Sequence, residues 1–421
     1  MVRLLALGLL LAPALAQSAL APLLDHPLAR QAQALLEAAR KALEAQEAPL
    51  ALNLQGNYAR LGYECTPEAL CGSLPETTGS LTLSLVLTPF PFGEVADGRE
   101  RARIALRRAE LGYRRALAAL QAQAVAAHGR YRQALLGEAL AQKALELAQK
   151  ALEAARKRQA NPKELREAEL NLKEAENRLE EARRGVELAR KAAEGLVDLA
   201  QPLPEIPPPK GGVYLGVEEA RLAVLEARIA YESALRNLLP QLQASYLLYP
   251  SGNDTLALSL GSRTLQPTLS YTRNDPSRPP TQVPGVGSYR TQEELRLSLS
   301  LTLSPGLFAG LEAARAQLQG AEAALKAAEE EARLREASLK NALQSAEAGL
   351  ALARLRKEAQ AKALEETRRR LELGLESPLA LLQAELSLLQ AELGLLQAEN
   401  DLLSKRMELY QLYGELLEVN P

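Results

Sequence analysis

The chain has 421 residues, of which 24% are charged, and its formal net charge at pH 7 is −2. Because 50 basic residues nearly balance 52 acidic ones, the charge gives no reason to expect a nucleic acid or a strongly acidic partner. Tryptophan is absent and aromatic residues make up only 4%, whereas alanine and leucine fill long tracts, a composition typical of long helices and coiled coils.

The first sixteen residues have the pattern of a secretory signal peptide. Arg3 supplies a positive charge, residues 4–11 an apolar core, and residues 14–16 (ALA) a small-x-small cleavage site. We therefore predict that residues 1–16 are removed and that the mature, exported protein begins at Gln17. No later segment is expected to reach the roughly 20 apolar residues of a membrane-spanning helix. Any crossing of a membrane would then use strands.

Two segments of the first half of the chain recur in the second half, both at the same distance along the sequence. Residues 81–89 (LTLSLVLTP) are echoed by residues 297–305 (LSLSLTLSP), and the same spacing relates residues 161–170 to residues 377–386. This predicts a duplicated helix-strand-strand-helix unit, with the first copy over 17–200 and the second over 213–421. The proline-rich residues 201–212 between them favour an extended, equatorial linker.

Each predicted copy contains a helix, a strand region and a helical hairpin. In the first copy these cover residues 27–48, about 50–88 and 94–199. In the second copy they cover residues 216–239, 241–304 and 311–418. Residues 240–266 resemble an inserted hairpin, and the pattern leaves open which stretch of 241–273 is the spanning strand.

Leucine alternates with serine or threonine in residues 81–88 and 297–304, interrupted only by Val86, which predicts strands with one hydrocarbon face. A half-buried strand of a soluble sandwich would show the same alternation, but the sequence offers no second apolar sheet to cover these leucines. Apolar-out, polar-in alternation is typical of transmembrane barrel strands. The predicted lipid-facing residues are Leu81, Leu83, Leu85, Leu87, Leu297, Leu299, Leu301 and Leu303. Phe90, Phe92 and Phe308 follow these strands, either as an aromatic girdle at the membrane interface or packed on the helices that they introduce.

Closure of such a barrel requires more than one chain. We expect four spanning strands per chain, and four strands leave open edges whose N–H and C=O groups find no water in hydrocarbon. Two chains would give eight strands and three would give twelve, and the pattern by itself does not choose between them.

The last helix carries two adjacent heptad stripes. Leu381, Leu388, Leu395, Leu402, Leu409 and Leu416 form one, and Leu382, Leu389, Leu396, Leu403, Tyr410 and Leu417 form the other. A helix with two stripes can contact a neighbour on each side, which predicts a tube of helices; a conventional bundle with a wide buried face is the alternative. The long helices would extend about 100 Å.

Both hairpin turns carry a helix start signal. Asn161 and Ser377 are predicted N-caps, each followed by a proline at the first helical position, Pro162 or Pro378. Glu164 is expected to complete a capping box, whereas Ala380 stands at the matching position of the second turn.

Two cysteines and two histidines are the remaining candidates for chemistry. Cys65 and Cys71 are close together in an exported segment, which predicts a loop disulfide; two reduced thiols are the alternative. His26 and His128 have no metal-ligand spacing. We predict no catalytic residues, no metal site and no cofactor.

These features together resemble the TolC family of outer membrane efflux proteins over essentially the whole mature chain. The resemblance also rests on residues 305–310 (PGLFAG), 89–93 (PFPFG) and 373–377 (LGLES). It implies a mainly α fold with a small β part, assembled as a homotrimer with a 12-stranded membrane β-barrel continued by a long periplasmic α-helical barrel. It further implies an outer-membrane location among lipid, and docking to an inner-membrane pump through a periplasmic adaptor, the membrane fusion protein.

On this basis the hairpin turns are the predicted periplasmic aperture and adaptor-docking surface. Its predicted residues are Arg158, Asn161, Pro162, Glu164, Gly374, Glu376, Ser377 and Pro378. Members of the family often have an acidic residue at the position that Ala380 occupies here. Glu376 and Glu164 are therefore the weaker candidates for an acidic ring at the aperture. Ordinary helix turns with solubilising charges are the alternative.

The predicted function is a passive outer-membrane exit duct of a tripartite efflux or type I secretion system. A periplasmic coiled-coil adaptor or a scaffolding protein is the alternative, and the sequence leaves the exported substrate open.

Overall fold

The computed structural model describes residues 19–67, 71–72, 74–302 and 304–417. The predicted signal peptide, Leu303 and residue 418 of the second predicted hairpin lie outside these residues. The elements before the linker are a short 3-10 helix (Ala21–Leu24), α1 (Pro27–Glu47), β1 (Leu50–Arg60), β2 (Thr77–Leu87), α2 (Glu94–Lys157) and α3 (Pro162–Ala193). After it come α4 (Leu215–Arg236), β3 (Gln241–Leu248), β4 (Asp254–Gly261), β5 (Thr268–Asp275), β6 (Thr281–Val283), β7 (Gly287–Tyr289), β8 (Glu293–Ser300), α5 (Pro305–Glu372) and α6 (Pro378–Tyr413).

The described residues are mainly helical with a small β part, which confirms the coarse fold class predicted from the sequence. They form two compact units, and each unit combines parts of both predicted repeats. Of the described residues, the helical unit contains 19–36, 109–219 and 326–417. The sheet unit contains residues 37–108 and 220–325.

The sheet unit holds one six-stranded antiparallel sheet in the order β1-β2-β5-β4-β3-β8. The sheet thus contains two strands more than the four membrane-spanning strands expected per chain. The predicted inserted hairpin at residues 240–266 supplies β3 and β4, which lie between β5 and β8 in the sheet. The short strands β6 and β7 pair separately.

Two predicted boundaries near the second strand motif were wrong. Strand β8 begins at Glu293 and ends at Ser300, because Ser300 pairs with Gln241, the first residue of β3 after Pro240. Leu301 therefore follows the strand. Helix α5 begins at Pro305 instead of residue 311, since the Ser304 hydroxyl accepts a hydrogen bond from Leu307 N (3.4 Å) and proline is tolerated in a first turn.

In the helical unit, the contacts place the four long helices side by side in the order α3-α2-α6-α5. Ion pairs join Glu138 of α2 to Arg183 of α3 (3.5 Å) and Lys143 of α2 to Glu385 of α6 (2.9 Å). A third joins Lys357 of α5 to Glu392 of α6 (3.1 Å). Helices α2 and α6 thus each contact two of the other long helices, whereas for the described residues of α3 and α5 these ion pairs give one such contact each.

The two stripes of α6 face these two neighbours. Leu395, Leu402 and Leu409 pack against α5 residues of the 339–350 region. Leu403, Tyr410 and, just after the helix, Leu417 pack in the largest apolar cluster, which includes Leu117 and Leu120 of α2. The structure confirms that this helix is held on both sides, as the double heptad pattern predicted.

Helix α6 also corrects the expectation that no later segment is apolar enough to span a membrane. Among the described helices it is the one that meets this condition by length and composition. Its apolar residues are explained by the two packed stripes, and its Glu385 and Glu392 are engaged in ion pairs with α2 and α5.

Candidate membrane sheet and hairpin turns

The six-stranded sheet has one face of leucine and tyrosine. Residues that pair across antiparallel strands point to the same face. One row that crosses all six strands consists of Leu52, Leu85, Leu269, Leu258, Tyr246 and Leu295. The parallel row above it contains Leu54, Leu83, Tyr271, Leu256 and Leu248 and ends at the charged Glu293 of β8. Most of the leucines on this face are exposed.

The opposite face is mainly hydroxyl and amide. Gln55, Thr82, Thr272 and Thr255 form one row, in which the Thr82 and Thr272 hydroxyls are 2.9 Å apart. Further along the sheet, Ser245 lies opposite Ser259 and Gln243 lies opposite Ser298. The apolar exceptions on this face are Val86, Leu247 and three alanines, Ala51, Ala59 and Ala257. The sheet is therefore amphipathic across its full width.

The predicted lipid-facing leucines fall on the apolar face where the structure describes them in strands. These are Leu81, Leu83, Leu85 and Leu87 of β2 and Leu297 and Leu299 of β8. Leu301 lies beyond β8, and Leu303 is not described. The leucines of β4 and the tyrosines of β3 and β5 were not selected from the sequence, although their period-two spacing was a usable signal.

The three phenylalanines lie next to strand ends or helix starts. Phe90 and Phe92 follow β2, and Phe308 lies in the first turn of α5. Each keeps about half of its surface exposed. None of them is buried against the helix that it introduces.

The loop between β1 and β2 contains the cysteine pair selected from the sequence. Cys65 and Cys71 are joined by a disulfide, with their Cα atoms 5.7 Å apart. The Tyr63 hydroxyl donates a hydrogen bond to the Pro75 carbonyl (3.0 Å), which ties the two ends of the loop together.

The first hairpin turn is closed by side chains. The Asn161 side chain accepts a hydrogen bond from Glu164 N (2.9 Å), so Asn161 is the N-cap as predicted. The Glu164 carboxylate bonds the Asn161 side-chain amide (3.1 Å) and Arg158 (3.1 Å) instead of completing the predicted capping box through the Asn161 backbone. Gln159, with φ +54°, is in the left-handed region that reverses the chain here.

The second hairpin turn is closed by Gly374 and Ser377. Gly374 has φ +72°, a conformation that favours glycine. The Ser377 hydroxyl accepts a hydrogen bond from Ala380 N (3.2 Å), which confirms the predicted N-cap. Glu376 lies 3.8 Å from Arg370 of α5. The charges of Arg158 and Glu376 are thus partly neutralised within the chain.

Two leucines at the second turn were missed as candidate site residues. Leu373 and Leu375, on either side of Gly374, are 73% and 72% exposed. Large apolar side chains exposed together at a helix turn are unusual unless a partner covers them. Their place beside a turn glycine was the available signal in the sequence.

A tyrosine-carboxylate cluster fixes the end of α6 in the helical unit. The hydroxyls of Tyr214 and Tyr413 each donate a hydrogen bond of 2.6 Å to the Glu336 carboxylate of α5, and Lys340 pairs with it at 2.7 Å. Lys340 and the two hydroxyls lower the pKa of Glu336 from about 4.5 to about 2. Burial and the bond to Glu336 raise the pKa of Tyr413.

The predicted equatorial linker lies along α6. Arg406 donates a hydrogen bond to the Ile206 carbonyl (2.8 Å), and the Tyr410 hydroxyl donates one to the Pro207 carbonyl (3.2 Å). The backbone N–H groups of Lys210 and Gly211 donate to the Glu415 carboxylate. The proline-rich segment is therefore held in place by α6 and the residues after it.

The second half of the chain matches a known protein family. Residues 214–415 match the family model of the outer membrane efflux protein. Among curated proteins, none matches this chain.

Solved outer-membrane channels share the fold over nearly the whole chain. The open-state MtrE channel of Neisseria gonorrhoeae is 19% identical, with 96% of this chain and 88% of MtrE covered at a TM-score of 0.60. The outer membrane protein VceC of Vibrio cholerae is 18% identical, with 94% and 95% covered at 0.61. The CmeC channel of Campylobacter jejuni is 13% identical, with 98% and 87% covered at 0.62.

Proposed function

We propose that this chain, which carries an outer membrane efflux protein domain over residues 214–415, is a passive exit duct of a tripartite efflux or type I secretion system. The domain match confirms the resemblance and the outer-membrane location predicted from the sequence. In the proposed assembly, three copies form a membrane β-barrel continued by a periplasmic helical tube. An inner-membrane pump supplies the energy and a periplasmic adaptor joins it to the duct.

The amphipathic sheet is the observation that carries this proposal. Its leucine and tyrosine face suits lipid, and its hydroxyl and amide face suits a water-filled lumen. Strands β1 and β8 are both edges in which nearly every residue is exposed, and such edges cannot remain unpaired in hydrocarbon. Because β1 and β8 run in opposite directions, β8 of one copy can pair antiparallel with β1 of the next.

The outer flanks of the helical unit support assembly from several copies. Helices α3 and α5 are the outermost of the four long helices in the described part of the chain, and both expose large leucines. These are Leu170 and Leu188 on α3 and Leu334, Leu352 and Leu355 on α5. We infer that α3 of one copy packs against α5 of the next, so that three copies close a tube of twelve long helices.

The long helices have the length that this role requires. Helix α2 has 64 residues and α5 has 68. At a rise of 1.5 Å per residue, each is about 100 Å long. Each begins shortly after a sheet strand and ends at a hairpin turn, so the turns are the natural periplasmic entrance.

The hairpin turns are the proposed aperture and docking surface. Exposed Leu373 and Leu375 offer an apolar contact to the adaptor, and Arg158 and Glu376 offer charges around the opening. Ion pairing with Glu164 and Arg370 reduces the net charge that each turn presents. We therefore place the main adaptor contact on the leucines and expect the charges to tune ion flow.

Membrane extraction and electrical recording test the proposal. The protein should require detergent for release from outer membranes and should run as a trimer that heating dissociates. In planar bilayers, Glu376→Ala and Arg158→Ala should change conductance, whereas Lys173→Ala on the exposed wall of α3 should not. Release without detergent, or a monomer in detergent, would refute the duct. If both turn variants kept wild-type conductance and efflux, only the assignment of the hairpin turns as the entrance would be refuted.

A further inference from the structure

The hairpin formed by β3 and β4 is an integral part of the sheet. Strand β4 pairs with β5 over residues 254–259, and β3 pairs with β8 over residues 241–248. Strands β5 and β8 are therefore separated by two strands. Without the hairpin, the same chain would bring β5 directly beside β8.

Adding this hairpin does not reverse the direction of any other strand. In an antiparallel sheet, alternate strands run the same way, so β3 and β5 are parallel to each other. Residues 240–243 (PQLQ) also match residues 267–270 (PTLS), which places Gln243 and Ser270 at equivalent positions after a proline. With the hairpin, β3 is the strand that directly follows α4; without it, β5 would take that place. In both cases the strand runs in the same direction and turns the same face toward lipid.

The hairpin continues the apolar face of the sheet, and it interrupts the polar face at one pair, Ala257 and Leu247. On the apolar side, Leu258 and Tyr246 connect Leu269 of β5 to Leu295 of β8. On the polar side, Ser259 and Ser245 continue the row that begins at Thr268. A loop that remained outside the membrane would have no reason to keep a leucine face in register with its neighbours.

We propose that all six strands span the outer membrane, so that three copies close an eighteen-stranded barrel in place of the twelve strands expected from the family. This inference rests on the trimeric duct proposed above. Barrel diameter grows roughly in proportion to strand number, so the pore mouth is about one and a half times as wide as that of a twelve-stranded barrel. Barrels of 16–18 strands hold an open aqueous channel, and such a mouth accommodates bulkier cargo than the family's usual one.

Disulfide crosslinking of introduced cysteine pairs can determine the strand order in membrane-inserted trimers. Gln243 and Ser298 face each other across β3 and β8 on the polar side, at a separation that a disulfide can bridge. Ser270 and Ser298 are separated by three strand spacings, about 14 Å, and in addition by four residues along the strand direction, which is too far for a disulfide. After mild oxidation, Gln243→Cys with Ser298→Cys should give a linked peptide by mass spectrometry. Ser270→Cys with Ser298→Cys, the matched control, should not.

The opposite result would overturn the proposal. A crosslink only between positions 270 and 298 means that β5 borders β8 and that the barrel has four strands per chain. Crosslinks for both pairs, or for neither, also contradict a fixed six-stranded order. Loss of trimers or of membrane insertion in the wild-type chain would instead refute the duct itself.

Deletion of residues 240–266 gives a second, independent measurement. The deletion joins Leu239 to Pro267 and keeps strand polarity, so the variant should still insert as a trimer but with twelve strands. The largest neutral polymer that enters the pore from the side of the β1–β2 loop should then be smaller than for the wild type. An unchanged polymer cut-off would show that the hairpin does not line the barrel.

Discussion

Replacing Leu83 with arginine should prevent assembly in the membrane, because Leu83 lies on the apolar face of β2 between Leu54 and Tyr271. The 11 residues of β2 extend about 37 Å, or about 25–30 Å across a membrane at the usual strand tilt. Leu83 is close to the middle of this span. An arginine facing lipid at that depth costs about 2–4 kcal/mol, which lowers the inserted population by about 30- to 900-fold.

The matched control is the neighbouring residue on the other face. Ser84 lies opposite Asn53 and Ser270 in the polar row, so Ser84→Arg would place its charge in a water-filled lumen. The assay is the amount of heat-dissociable trimer extracted from outer membranes for each variant at equal expression. Equal losses for Leu83→Arg and Ser84→Arg would show that the two faces of the sheet have been assigned wrongly.

Three further predictions concern stability and the disulfide. Because the folded pKa of Glu336 is about 2, its stabilising effect is complete above about pH 4.5 and is lost as the pH falls toward 2. Thermal or denaturant unfolding should therefore show Glu336→Gln less stable than wild type by up to about 3 kcal/mol at pH 7, with the difference shrinking below pH 4.5; a pH-independent difference would contradict this. Gly414→Ala should lower the melting temperature, since the φ of Gly414 is +64° and a Cβ there would lie 2.5 Å from the Leu215 side chain of α4. The control Gly137→Ala should not lower it, because nothing lies within 4 Å of the added Cβ. Mass spectrometry of unreduced peptides should find Cys65 linked to Cys71, and two free thiols would refute the predicted loop bond.

The helical part was the more predictable one, because its signals are local. The double heptad of α6 indicated two neighbours, and the clusters around Leu402 and Tyr410 have that arrangement. Asn161 and Ser377 were identifiable as caps because a cap depends only on the next three residues. The start of α5 was misplaced because Ser304 and Pro305 were assigned to a strand end instead of a helix start.

The sheet was less predictable, because strand order depends on pairing between distant residues. The alternation of leucine in β2 and β8 gave the faces, but no local pattern tells that β3 pairs with β8 and β4 with β5. The pairing of Arg158 with Glu164 was missed for a similar reason. It depends on the left-handed conformation of Gln159, a backbone state that the sequence does not signal for glutamine.

The two open edges of the sheet have a consequence for biogenesis. A single exported copy presents unpaired backbone groups along β1 and β8 and an uncovered leucine face, so copies that meet in the wrong register would polymerise without limit. In the proposed trimer, closure of the barrel would pair both edges at once, so ring completion would be the step that ends growth. We therefore expect the yield of the channel to depend on how quickly three copies meet at the membrane.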